Sequence, residues 1–297
     1  METKPNSIAV VGPTASGKSA LAVFLAERLQ GEVISADSRQ VYIGLDIGTG
    51  KITPEETAGV THHIIDIVKP SEEYTVSQFV IDANKAATEI WSRSHLPIVC
   101  GGSGLYIDAL IDGISIPTIP PNTILRSKLE QKTVAELFEM LRAKDPVRAA
   151  SIDPKNPRRL VRALEIIDAV GTVPPAAKKS TLFDTLFIGI EIEPKVLREK
   201  IHTRLLARLE QGLIAEVEEL LKKGSVTAEK LDRLGLEYRY VGEYLRGTLS
   251  SPELVSKLEK AIWDYSRRQM TWFRANKRIH WVKTNEEALL VAKNAGL

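Results

Sequence analysis

The sequence predicts an α/β fold: a P-loop core built on a parallel β-sheet flanked by helices, with an all-helical domain inserted into it. Three observations carry that prediction. Short β-branched runs alternate with stretches apolar at helical spacing over the first hundred residues, the pattern of βαβ units. A glycine-rich loop, Gly12 to Ser19, stands between the first such run and the first helical stretch. Strand-like runs then vanish between Pro117 and Ser180 and resume at Thr185.

Taken in order, residues 8–11 are a strand, 19–29 a helix, 32–35 a second strand and 63–67 a third. A helix is expected over 77–92, followed by a strand at Leu96–Cys100 that ends on Gly101 and Gly102. Strands joined by helices at this spacing lie parallel. Beyond Gly113, Ile116-Pro117-Thr118-Ile119-Pro120-Pro121-Asn122 is a proline-rich connector, only helices follow, and Val173-Pro174-Pro175 is a second breaker. The expected division is 1–117 with 184–297 as the core and 118–183 as the insert. A buried strand is expected at 185–192, helices to about residue 247, a long helix over 251–274 and a last strand at Ile279–Val282.

Composition narrows the function. The 297 residues carry 40 Lys+Arg against 38 Asp+Glu, and 43% are hydrophobic, which excludes disordered and fibrous classes. A single cysteine, Cys100, excludes a disulfide framework, and with five His it leaves no thiolate cluster for structural zinc. Residues 1–7 are too few and too polar for a signal peptide, and no run approaches the ~20 apolar residues of a membrane span. A soluble, cytoplasmic chain with no membrane partner is expected. The near-zero net charge of +2 conceals an uneven distribution: residues 117–180 hold twelve Lys/Arg and seven Asp/Glu, a local +5 suited to a phosphodiester backbone.

Gly12-Pro13-Thr14-Ala15-Ser16-Gly17-Lys18-Ser19 fits G-x-x-x-x-G-K-[ST], with a strand before and a helix after. In such a loop glycines let backbone N–H groups turn toward phosphate oxygens, and the helix N-terminus adds its positive dipole. Lys18 would reach the outer phosphate and the Ser19 hydroxyl would help hold Mg²⁺, so a di- or triphosphate is expected there. The loop serves ATP-binding and other nucleotide-binding proteins as well as transferases, so it does not name the reaction. Asp37, in Asp37-Ser38-Arg39-Gln40, follows the second strand and lies at the same sheet edge as the P-loop. It is a candidate general base, a candidate magnesium ligand, or the cap of a turn. Gly101-Gly102-Ser103 permits close approach of a ligand or of neighbouring backbone. Arg158, Arg159 and Arg162 share one helix face in the basic insert, as a patch for a phosphodiester backbone or a solvated surface. The segment 261–274 interleaves arginines with aromatics, in the manner of RNA-contacting surfaces or of a core helix. Asp66 falls mid-strand, and His62, His63 and Cys100 offer no metal geometry.

In order along the chain, the P-loop, Asp37-Ser38-Arg39-Gln40-Val41-Tyr42, Asp46-Ile47-Gly48-Thr49-Gly50-Lys51, His62-His63-Ile64-Ile65-Asp66, Gly101-Gly102-Ser103, Arg159 to Glu165 and Arg268-Gln269-Met270-Thr271-Trp272-Phe273 closely resemble the tRNA dimethylallyltransferases, the isopentenyl-tRNA transferase or IPP transferase family. The resemblance spans nearly the whole chain. It implies a prenyltransferase that moves a dimethylallyl group from dimethylallyl diphosphate to N6 of the adenosine 3′-adjacent to the anticodon of tRNA, releasing diphosphate. It implies Asp37 as general base, with Lys18 and Arg204 on the leaving diphosphate. Residues 12–19 would cradle that diphosphate, and Ser19 would be the Mg²⁺ partner. It further implies tRNA contacts, at the anticodon stem-loop, from Asp37, Ser38, Arg39, Gln40, Ser103, Arg126, Arg158, Arg159, Leu160, Val161, Arg162, Arg239 and Gln269, and action as a monomer. Two departures stand out: Ser103 replaces the family's usual Thr, and Glu237-Tyr238-Arg239-Tyr240 stands where Gly-Tyr-Arg-Gln is common. With no Cys/His finger after the core, the bacterial form is expected.

Two other readings share these residues. A small-molecule or nucleotide kinase would use the loop for ATP, but no lid with paired arginines is evident and the basic insert favours a large polyanion. A nucleotide-gated RNA-binding protein would bind RNA without modifying it.

Overall fold

The computed structural model describes residues 4–114, 117, 119–120, 122–174 and 180–297. The chain forms two compact units, Met1–Asp112 with Ser180–Leu297, and Gly113–Lys179.

The first unit is built on a six-stranded, wholly parallel sheet. Strand β1 (Ser7–Val11) is central and leads through the P-loop into helix α1 (Lys18–Leu29). Then come β2 (Gly31–Ser35), β3 (His62–His63), α2 (Val76–Ser92), β4 (Leu96–Cys100) and α3 (Gly104–Ile111). In chain order the second unit intervenes, holding α4 (Thr123–Leu129), α5 (Val134–Lys144), α6 (Pro146–Ser151) and α7 (Pro157–Val170). The first unit resumes with β5 (Thr185–Ile190), α8 (Pro194–Glu210), α9 (Leu213–Lys222), α10 (Ala228–Leu234), α11 (Leu236–Leu245), α12 (Ser251–Ala275), β6 (Ile279–Val282) and α13 (Asn285–Asn294). The strand order is β3-β2-β4-β1-β5-β6.

Period-2 alternation sorts the strand side chains onto two covered faces. Ile8, Val10, Val33, Ile98, Cys100 and Ile188 pack with Leu21 and Leu25 of α1 and Ala288 and Ala292 of α13. Ala9, Val11, Ile34, Val99 and Phe187 face the other way, against Phe79 and Ile90 of α2, Ile107 and Leu110 of α3, and Leu258, Ile262 and Phe273 of α12. Full burial of each large side chain contributes about 1.5–3 kcal/mol, and helices on both faces leave only the sheet's ends open to a ligand.

The structure revises some expected elements. The strand expected at 63–67 stops at His63. Ile64 and Asp66 adopt φ of 63° and 55°, which turn the chain out of the sheet, and Asp66 pairs with Lys51 in a loop. The strand expected at 185–192 ends at Ile190. Helix α13, absent from the sequence reading, starts at Thr284, whose hydroxyl accepts the Glu287 N–H at 3.1 Å. Among the described residues no helix is long and apolar enough to cross a membrane.

In the second unit, Leu129, Leu137, Leu141, Ala149, Leu160, Val161 and Leu164 form a separate small core. The buried carboxylate of Glu165 accepts Arg126 through Nε and Nη2 at 2.7 and 2.8 Å, Arg162 Nη1 at 3.4 Å and the Asn122 N–H at 3.0 Å. Burial pushes this carboxyl up, but the hydrogen bonds and charge of Arg126 push it further down, so it stays ionised.

Candidate active site

Because the strands are parallel, the loops after β1, β2 and β4 open at one end of the sheet. After β1, Gly12 (φ 148°), Ala15 (φ 62°) and Gly17 (φ 97°) wind the P-loop into the first turn of α1. A Cβ at Gly17 would meet nothing within 4 Å, so the backbone conformation, not crowding, demands glycine there. Gly17 caps α1 with no side-chain hydrogen bond, which leaves the helix N-terminal amides and dipole for an anion. Ser16 Oγ is buried without a hydrogen-bond partner, an orphan of the kind a phosphate oxygen satisfies.

Lys18 is half-buried as a residue, but its ammonium group is enclosed and donates to the Pro13 carbonyl at 2.7 Å. That burial, reinforced by the charge of Arg204, lowers its pKa to about 8, against the opposing pull of Asp37. Arg204, from α8, donates through Nη2 to Thr14 Oγ1 at 3.3 Å. Burial, with Arg208 adding, lowers Arg204 to about 10, while Glu237 and Asp37 act the other way. Arg208 is bonded to Glu237 at 2.9 Å. Lys18 and Arg204 therefore stand at the P-loop with burial opposing their charged forms, and an incoming anion offsets that cost.

Asp37 lies two residues past β2. Its Oδ1 accepts the Arg39 N–H at 2.8 Å, an Asx turn that fixes the carboxylate. Its charge acts on both Lys18 and Arg204, so it shares the electrostatic environment of the phosphate cradle. Ser103, after β4, accepts the Ser38 N–H on Oγ at 3.3 Å. Arg39 donates through Nε to the Leu234 carbonyl at 2.9 Å and through Nη2 to Arg233 at 3.3 Å. Gln40 accepts from Ser35 Oγ at 3.3 Å and donates to the Gly50 carbonyl at 3.2 Å. Expected at the tRNA, Arg39 and Gln40 use their side chains to hold this loop.

The structure separates the remaining expected tRNA contacts into exposed and enclosed groups. Arg158 and Arg159 are exposed on α7, and Arg239 is exposed on α11, bonded to Glu243 at 2.9 Å. Arg126 and Arg162 turn onto Glu165, and Arg162 also donates to the Pro117 and Ile119 carbonyls at 3.2 and 2.8 Å. Leu160 and Val161 have their side chains buried in their unit's core. Gln269 belongs to the enclosed group. It is buried, Oε1 accepting the Thr14 N–H at 2.8 Å and Nε2 donating to the Gly102 carbonyl at 2.9 Å.

Several supports carried no motif. Glu216 of α9 accepts the backbone N–H groups of Asp46, Ile47 and Gly48 at 3.0, 2.6 and 3.1 Å, together with the Tyr238 hydroxyl at 2.8 Å. It thereby anchors the 46–51 loop, whose Gly50 packs against Arg208 and Arg204. Among the described residues no group of three or more His, Cys, Asp or Glu is placed to hold a metal ion.

A family model described as IPP transferase matches residues 40–276. The chain belongs to the IPP transferase family. Within this family it is 43% identical over 282 residues to tRNA dimethylallyltransferase 2 of Shewanella sediminis, covering 94% of this chain and 93% of that one. It is 40% identical to tRNA dimethylallyltransferase 2 of Porphyromonas gingivalis, over 96% of this chain and 95% of the relative. Among solved structures, the full-length tRNA isopentenylpyrophosphate transferase of Bacillus halodurans aligns with a TM-score of 0.73 at 37% identity, covering 98% of this chain and 96% of that one. A eukaryotic dimethylallyltransferase acting on tRNA aligns with a TM-score of 0.78 at 26% identity, covering 93% of this chain and 73% of that chain. IPP transferase membership accords with the P-loop, parallel-sheet architecture described above.

Proposed function

We infer that this IPP transferase is a tRNA dimethylallyltransferase, transferring a dimethylallyl group from dimethylallyl diphosphate to N6 of the adenosine 3′-adjacent to the anticodon. The observation that carries the reading is the meeting, at one sheet end, of an anion cradle and a fixed carboxylate: Lys18 and Arg204 at the P-loop, Asp37 within reach of both charges.

The chemistry needs both halves. The exocyclic adenine amine is a weak nucleophile. As its N6–carbon bond forms, its proton passes to Asp37, a contribution of about 10²–10⁴ in rate. The allylic C–O bond breaks and its electron pair leaves on the diphosphate. The P-loop amides, Lys18 and Arg204 stabilise the charge that develops there. The Asx turn to Arg39 holds the carboxylate so that it need not reorganise during transfer. Reaching such a site requires the adenine to leave its stack.

The donors at the loop are hard oxygens, the exposed Ser19 hydroxyl and the orphaned Ser16 Oγ, with no soft-metal cluster among the described residues. That set fits Mg²⁺, which takes one or two protein oxygens and completes its shell with phosphate and water. Ser19 would hold it, and when bound it would neutralise charge on the leaving diphosphate. The exposed Arg158 and Arg159, in a unit whose net charge is +5, suit the backbone of the anticodon stem-loop. The reading places the chain in the cytoplasm with its tRNA. Incubation with unmodified tRNA and labelled dimethylallyl diphosphate, followed by nucleoside mass analysis, tests it. Recovery of N6-(dimethylallyl)adenosine is expected, and unlabelled adenosine alone would overturn it.

A further inference from the structure

Helix α12 buries a stripe of Leu254, Leu258, Ile262, Ser266, Gln269 and Phe273, spaced three and four residues apart. An amide in such a stripe is costly unless both of its ends are bonded. In Gln269 both are, to Thr14 N–H and to the Gly102 carbonyl. The amide's orientation is forced: a backbone N–H only donates and a carbonyl only accepts, so one of the two flips satisfies both partners.

Those partners sit on different loops. Thr14 belongs to the P-loop and its hydroxyl takes the Arg204 contact. Gly102 precedes Ser103, whose Oγ accepts the Ser38 N–H and whose own N–H donates to the Ala36 carbonyl at 3.4 Å. Ala36 and Ser38 flank Asp37. One side chain therefore spans from the diphosphate cradle to the loop that braces the carboxylate. The fit leaves no slack. A Cβ at Gly102 would fall 2.2 Å from Gln269 Nε2, and one at Gly101 would fall 2.1 Å from the Ala36 carbonyl oxygen. The glycine pair is explained by these approaches alone.

We propose that Gln269 is a positioning residue for the transfer: it fixes the P-loop relative to the Asp37 loop, so that the anion cradle and the base act on one donor–adenosine pair. It acts through Thr14 and Gly102 and touches neither substrate. The geometry stands by itself, while the naming of the donor rests on the dimethylallyl-transfer reading. Two buried hydrogen bonds of ordinary strength correspond to about a ten- to hundredfold effect when lost.

The test uses the full chain and Gln269→Met, which keeps the volume and removes both bonds. Four quantities are measured: the Kd for inorganic diphosphate, the Kd for tRNA, the single-turnover transfer rate at saturating substrates, and Tm. The Kd for diphosphate is expected to rise and the transfer rate to fall, each by about tenfold or more, with tRNA Kd within about twofold of wild type. Gly102→Ala, which displaces the amide while leaving Gln269 in place, is expected to reproduce that signature. Should Gln269→Met not fold, Gln269→Asn, with an amide one methylene shorter, replaces it. A weakened tRNA Kd with diphosphate binding and rate intact would assign Gln269 to the RNA and overturn the proposal. A lowered Tm alone, with binding and rate unchanged, would make it a core filler and overturn it equally. A wild-type chain that binds no diphosphate would remove the donor reading, whereas a wild-type chain that transfers normally beside an equally active Gln269→Met chain would sink only the positioning role.

Discussion

Arg208 and Glu237 form a salt bridge at 2.9 Å in which the two side chains are only 7% and 11% exposed. The pair stands behind Arg204, which Arg208 pushes toward neutrality and Glu237 pulls back toward its charged form. Glu237 thus sets a buried counter-charge beside the phosphate cradle. Gly50 completes the packing: a Cβ there would fall 1.6 Å from Arg208 Nη2.

Glu237→Gln is expected to leave Arg208 buried without compensation and to lower unfolding stability by about 3–5 kcal/mol. Urea denaturation measures it. Pairing the change with Arg208→Met should recover most of the loss, because no orphan charge then remains. Wild-type stability in the single variant would show that water reaches the pair.

Asp37→Asn separates chemistry from architecture. The asparagine oxygen can still accept the Arg39 N–H, so the Asx turn and Tm should persist. The transfer rate should fall by about 10²–10⁴, with tRNA and donor affinities changed far less. A near-wild-type single-turnover rate would remove Asp37 as the base, and a rate restored by raised Mg²⁺ would make it a metal ligand.

Arg159 and Arg162, three residues apart on α7, should behave differently. Arg159 is exposed, so Arg159→Glu should weaken tRNA binding and flatten its salt dependence by about 0.7–0.9 in log–log slope per lost phosphate contact, with folding unchanged. Arg162→Glu sets a carboxylate beside buried Glu165 and frees the Pro117 and Ile119 carbonyls, so it should first destabilise the helical unit. Salt titrations of tRNA affinity, alongside thermal melts of both variants, decide it. Equal tRNA affinity in Arg159→Glu and wild type would make that face merely solvated.

Glu32 gives a stability effect with a defined sign. It is buried, and although burial opposes ionisation, the hydrogen bonds from Arg93, His63 and His95 outweigh it and hold its pKa at about 2. A carboxylate whose folded pKa is depressed stabilises the fold above its unfolded pKa, and the contribution is lost as pH falls from there through the folded value. Glu32→Gln should therefore cost about 3 kcal/mol at pH 7 at most, the difference shrinking below about pH 4.5 and vanishing near pH 2. Denaturant unfolding at a series of pH values reads it, and a pH-independent difference would mean that the variant loses packing rather than charge.

The sequence by itself determined what is local. β1, the P-loop and α1 are legible because a β-branched run, glycines with positive φ and a helix N-terminus are properties of neighbouring residues. The two-sided sheet follows from continuous apolar strands, and the basic insert from a charge count. The end of β3 at His63 is not legible in the sequence, because two positive-φ residues follow it and an apolar run carries no sign of them. Only the tertiary structure decided how the site is held together. Gln269 reaches Thr14 across 255 positions and Glu216 reaches Ile47 across 169, by single hydrogen bonds that leave no spacing in the sequence. Arginines that look equivalent in a list, Arg159 in solvent and Arg162 on a buried carboxylate, are told apart by which side of the helix meets the core. A side chain's chemistry is written in its residue type, but its partner is chosen by the packing of segments remote in the chain.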